Sequence, residues 1–126
     1  MEENKKIILA GTNLFFSEKL SAQLRRTGYS VLSESSFEGI RSHAASVVSA
    51  VVLDLASRGM DAVDLIRKLK ASAETAGIPL IGFCGHKDGD LIESARSAGC
   101  DLVTTNGAVS SDLPGLLGEI GGAGRI

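Results

Sequence analysis

Four stretches of this chain place chemically capable residues directly after an apolar run. Asp54 follows "SAVVL", so a carboxylate stands where an apolar segment leaves the core, a position at which active sites are often built. Its other use there is to accept hydrogen bonds from backbone N–H groups or from Thr12, stabilising the loop that follows. Gly11, Thr12 and Asn13 follow "KIILA" and precede a helical pattern. A glycine turn at a helix N-terminus can cradle an anion, although a single glycine is no dinucleotide fingerprint. Failing that, Gly11 permits a tight turn. Cys84, Gly85 and His86 follow "PLIGF", which invites a nucleophile and base. Neighbouring strand-end residues point in different directions, however, and no third group is in view to orient the pair, so a buried or half-buried thiol is the simpler reading. Thr105 and Asn106 end the last such run. His43 and His86 are too few and too scattered for a metal site and read as solvated surface histidines.

The elements that position these residues alternate along the chain. "KIILA" is a short continuous apolar run, as expected of a strand covered on both faces. Phe16, Leu20 and Leu24 then recur at fourfold spacing, marking a helix that stops near Gly28. "YSVLSE" alternates, which suits a strand nearer an edge, and "SSFEGIRSHAA" is a weaker helix capped by Ser35 or Ser36. "SAVVLDL" is the third strand. Asp61 with Asp64 forms a capping pair for a helix carrying Leu65, Ile66 and Leu69. Pro79 opens the fourth strand, and Asp88 precedes a helix whose apolar side holds Leu91, Ile92, Ala95 and Ala98 and which closes at Gly99. "CDLVTT" is the fifth strand. Leu113, Leu116, Leu117 and Ile120 mark a last helix, with Pro114 tolerated in its first turn. Tyr29 and the phenylalanines are expected in the core or at its margin. Five strands interleaved with five helices imply parallel pairing with helices on both faces, hence an α/β domain.

At 126 residues the chain is most simply one domain, residues 1–126, with a glycine-rich tail from about 118 that is expected to fray or to begin a linker. Hydrophobic residues make up 44%, charged residues 22%, and the net charge is −2, without the basic excess of a nucleic-acid-binding chain. No apolar run is long enough to span a bilayer, and "MEENKKIILAG" lacks the pattern of a secretory signal. Cys84 and Cys100 form neither a CxxC pair nor a metal cluster, so reduced thiols in a cytoplasmic protein are expected.

In order and spacing, "KIILAGTNLFFSEKLSAQLRRTGYSVL", "VVLDL", "IPLIGFCGHKD" and "SARSAGCDLVTTN" resemble the receiver domain of two-component response regulators over nearly the whole chain. The resemblance implies a flavodoxin-like fold, a doubly wound five-stranded parallel sheet in the order 2-1-3-4-5 with five helices. In that family the first strand ends in two acidic residues that hold Mg²⁺. The third ends in a phosphoacceptor aspartate, the fourth in Ser or Thr, and the fifth in Lys-Pro. Carried across by position, Asp54 matches the phosphoacceptor. The acidic pair falls on Gly11 and Thr12, with Asn13 directly after; the hydroxyl residue falls on Cys84, and Lys-Pro on Asn106 and Gly107. The aromatic switch residue of the fifth strand falls on Val103.

Those departures remove particular pieces of chemistry. Mg²⁺ wants oxygen ligands, including one or two carboxylates, and offsets the repulsion between a phosphoryl group and the attacked carboxylate. Gly11 has no side chain and Thr12 only a neutral hydroxyl, so Mg²⁺ binding is expected to be weak or absent, with no other cofactor. Asn106 carries no charge to pair with an acyl phosphate, and Cys84 is a poor donor beside Thr. Each loss costs ~10²-fold or more where the group acts in the transition state. The expected function is a divergent receiver, a pseudo-receiver without conventional Mg-dependent aspartyl phosphorylation, acting as a non-enzymatic protein-interaction module. Its partner would be a histidine kinase or another signalling protein, or a second copy through the face spanning residues 91–120, with no direct nucleic-acid or membrane contact. Two other readings stay open: a receiver still phosphorylated at Asp54, and a small-ligand or anion-binding domain using Gly11–Asn13 and the fourth-strand loop.

Overall fold

The computed structural model describes residues 5–123 and contains five strands and five helices in strict alternation. They are β1 Lys5–Ala10, α1 Leu14–Arg26, β2 Tyr29–Ser33, α2 Phe37–Arg41, β3 Val48–Asp54, α3 Ala62–Ala71, β4 Leu80–Cys84, α4 Gly89–Ala98, β5 Leu102–Thr105 and α5 Asn106–Ala123. All four strand pairings are parallel, and the order is β2-β1-β3-β4-β5. This is the flavodoxin-like arrangement that the sequence implies, with the alternating β2 at one edge.

Local chemistry sets the boundaries. Ser36 caps α2 by accepting the Gly39 N–H at 3.1 Å, and Asp61 caps α3 by accepting the Asp64 N–H at 3.0 Å. Gly28 after α1 and Gly99 after α4 take φ of 93° and 111°, left-handed values that a side chain would strain. β4 is buried at every residue, and β3 from Ala50 to Leu53. Successive side chains therefore feed two separate cores. Ile8, Ala10, Val51, Leu53 and Leu80 face α2, α3 and α4, while Ile7, Leu9, Val52, Ile81 and Phe83 face α1 and α5.

The last helix differs from its sequence pattern. It begins at Asn106, directly after β5, and is broken at Asp112, whose φ of −159° and ψ of 69° are not helical. A second helical piece follows, capped by Asp112 Oδ1, which accepts the Gly115 N–H at 3.0 Å, with Pro114 in its first turn. At the break the Gln23 amide of α1 stands in for the helical bond from Leu113 to Val109. Its Oε1 accepts the Leu113 N–H at 2.7 Å, while its Nε2 donates to the carbonyls of Val109 and Ser110 at 3.4 Å each. Helix continues through residues 118–123, where the sequence predicts a fraying tail; residues 124–126 of that tail lie outside the described ones.

Two surface expectations are corrected. Phe15 is 86% exposed rather than packed at the core margin, because it lies on the outer face of α1 while Phe16 turns inward. His43 is half-buried, with its Nε2 3.0 Å from Glu34 Oε2, whereas His86 is exposed as expected.

Candidate functional site

The parallel sheet gathers the ends of β1, β3 and β4 at one edge of the molecule. Register sets Ala10 beside Leu53 and Asp54 beside Phe83, so Gly11 emerges against Asp54. A Cβ on Gly11 would come within 2.9 Å of the Asp54 Cβ. The glycine is therefore required by close approach and not, as expected, by a tight turn, since its φ is not among the positive ones.

Asp54 is half-buried, and its Oδ1 accepts the Ala56 N–H at 3.2 Å. Burial raises its pKa, the Ala56 N–H partly offsets that rise, and no neighbouring charge contributes. Beside it lies a cavity of about 20 Å³, bordered by Gly11, Asn13, Phe16, Val52 and Phe83. The rings of Phe16 and Phe83 sit 4.9 Å apart between centroids and tilted by 43°.

Thr12 does not bond Asp54, contrary to one expectation. Its backbone N–H donates to Ser57 Oγ at 2.7 Å, its Oγ1 lies 2.7 Å from the same oxygen, and the Thr12 hydroxyl donates to the Arg58 carbonyl at 2.8 Å. The Gly11 peptides are held in parallel: Ser35 Oγ accepts the Gly11 N–H at 3.2 Å and donates to the Gly11 carbonyl at 3.1 Å. Asn13 caps α1, accepting the Phe16 N–H at 3.1 Å. Three loops thus meet over the strand ends, those after β1, β2 and β3. Sequence reasoning finds Gly11, Thr12, Asn13 and Asp54 but misses Ser35 and Ser57. These serines lie 24 and 45 residues from their partners, and nothing in their spacing distinguishes them from other loop serines.

The remaining candidates stand apart from this network. Cys84 is 1% exposed, and its thiol is pushed up by burial first and then by the negative charges of Asp88 and Asp54. A thiol kept protonated is a poor nucleophile, which favours the structural reading. Cys100 is half-buried, its single S–H lies within reach of the carbonyls of Leu80 and Leu102, and burial pushes it up to about 11. Asn106 is exposed as the first residue of α5, and Thr105 Oγ1 caps that helix by accepting the Ala108 N–H at 3.1 Å. Val103 packs against the α2–α4 core.

No protein-family model matches the chain, and no curated protein matches it by sequence. Solved structures match its fold. The receiver domain of the sensor histidine kinase PA1611 from Pseudomonas aeruginosa, with a magnesium ion coordinated in its active-site cleft, is similar at a TM-score of 0.78 and 21% identity, over 94% of this chain and 98% of that one. A response regulator receiver domain protein from Clostridium thermocellum gives 0.77 and 20%, over 92% and 93%. The chemotaxis protein CheY4 of Vibrio cholerae gives 0.79 and 10%, over 94% and 99%. The chain has the receiver fold.

That fold implies a Mg²⁺ site, and the residues present do not fit one. Asp54 is the carboxylate beside this network, and its Oδ1 accepts the Ala56 N–H. The Thr12 hydroxyl donates its proton to the Arg58 carbonyl, and no group of three or more His, Cys, Asp or Glu side chains lies together among the described residues.

Proposed function

We propose that this chain is a divergent receiver module of two-component signalling that acts through protein contact, without Mg-dependent aspartyl phosphorylation and without catalysis of its own. The observation that carries the proposal is the setting of Asp54. It ends β3, the position that the sequence resemblance matches to the phosphoacceptor, while Gly11 and Thr12, matched in the same way to the acidic pair, are tied into hydrogen bonds with neighbouring loops. A carboxylate in that setting lacks both the metal that would neutralise an incoming phosphoryl group and the lysine that would pair with the product.

Anion binding at Gly11–Asn13 is the weaker reading. The N–H groups of Gly11, Thr12 and Phe16, which a phosphate would need, already donate to Ser35, Ser57 and Asn13. The proposed partner is a histidine kinase or another signalling protein in the cytoplasm, reached through the face of α4, β5 and α5. No helix among the described residues is long and apolar enough to cross a membrane.

The test is incubation with acetyl phosphate and Mg²⁺, followed by intact-mass measurement of the wild type and of Asp54→Asn. No stable phosphoryl adduct is expected in either. An adduct in the wild type that vanishes in the variant restores Asp54 as a working phosphoacceptor and overturns the proposal.

A further inference from the structure

We infer that the hydroxyls of Thr12, Ser57 and Ser35 form a lattice that ties the loop after β1 to the loops after β2 and β3 with no ion between them. The inference rests on the receiver reading of the site and adds what has taken the place of its metal.

Counting protons fixes the direction of every bond. The Arg58 carbonyl can only accept, so the single hydroxyl proton of Thr12 points at it. The short Thr12–Ser57 contact must then use the Ser57 proton, with Thr12 Oγ1 accepting. Ser57 Oγ in turn accepts the Thr12 N–H. Ser35 works the same way on the preceding residue, accepting from one Gly11 peptide group and donating to the other. Each of the three hydroxyls gives its one proton and accepts at least one bond, so the lattice is satisfied as it stands.

This arrangement differs from a metal site that has merely lost ligands. A carboxylate at position 12 would have no proton for the Arg58 carbonyl, and would set acceptor against acceptor where the loops now join. Any side chain at position 11 would collide with the Asp54 Cβ. Restoring the acidic pair would break the closure before a cation could be held. The loops after β1, β2 and β3 are therefore joined without an ion, and a partner meets the surface they form around Asp54.

Amide hydrogen exchange, followed by NMR on the whole chain in EDTA and then in about 10 mM Mg²⁺, tests this. The Gly11 and Thr12 amides are expected to exchange at least ~10-fold slower than unstructured amides without any ion, as amides in stable hydrogen bonds do. Mg²⁺ should leave both rates unchanged. Thr12→Val should speed Thr12 exchange by roughly 2- to 13-fold, the loss of one net hydrogen bond. Thr12→Ser should restore protection, and the buried strand amides of Leu53 and Ile81 should not respond. Unprotected amides in EDTA that become protected with Mg²⁺ would overturn the lattice on the wild type alone, as would Thr12→Val having no effect. The phosphodonor experiment is separate: an adduct on a protein with protected amides removes only the functional proposal, and open amides with no adduct remove only the lattice.

Discussion

Asp54 carries an energetic cost that its surroundings relieve only in part. Burial raises its pKa, with the Ala56 N–H as the one opposing influence, so the folded state holds the carboxyl proton more tightly than the unfolded chain does. For a raised pKa the sign is fixed. The stabilising contribution is complete below the unfolded carboxylate pKa of about 3.9 and is lost as pH rises through the folded value. Asn does not titrate and keeps an oxygen for the Ala56 N–H. Asp54→Asn is thus expected to raise the Tm modestly near pH 7, with the gain shrinking as the pH falls towards about 3. Thermal unfolding of both proteins across that range checks it, and a gain that grows on acidification would contradict it. The position of Asp54 was legible in the sequence because an apolar run ending in an acid is a local pattern. Its bonding was not: Thr12, the obvious partner, turns instead to Ser57 and Arg58, whose loop comes near only once β1 and β3 pair.

At the level of elements, periodicity located every strand and helix but could not foresee how α5 is bent. Leu113, Leu116, Leu117 and Ile120 announced only the second half of the helix, since "NGAVSS" has no apolar period. At the break at Asp112 the Leu113 N–H bonds Gln23, which is 90 residues away in sequence. Helices rarely bend sharply without proline, a π-bulge or a group inserted into the hydrogen-bond ladder, and here Pro114 and an inserted side-chain amide coincide. Gln23→Leu removes an acceptor from the Leu113 N–H and a donor from the Val109 carbonyl in a half-buried place, a cost of about 1–3 kcal/mol. Chemical denaturation should show that loss with an unchanged m value. Gln23→Glu, which keeps the acceptor, should cost less. If both variants match the wild type, the amide does not hold the break, and the bend belongs to Asp112 and Pro114 alone.

For the whole molecule, the alternation of elements was readable because a two-sided parallel sheet imposes continuous apolar strands and one-sided helices, both of which are local signals. Charge distribution is equally readable, and it bears on the partner. The net charge of −2 conceals an asymmetry: residues 88–120 carry six acids and one base, while residues 1–87 carry more bases than acids. All six of these acids are exposed; Asp101 is balanced by Lys70 at 2.9 Å, and Glu93 by Arg96 at 3.5 Å. The stretch that carries the face proposed for partner contact is therefore acidic, with Asp90, Asp112 and Glu119 outside any ion pair among the described residues. A two-fold dimer sets the same patch against itself, so a second copy on this face would bring like charges together. At about 0.01 M ionic strength, where the screening length is roughly 30 Å, that repulsion is strongest. The chain is expected to be monomeric there by sedimentation equilibrium, with any self-association through this face appearing only as salt is added. A partner presenting a basic surface should behave in the opposite sense, binding most tightly at low salt and weakening as counterions screen it. Dimerisation at low salt that is abolished by substitutions in α4 or β5 would show that packing outweighs charge, and would assign the face to self-association.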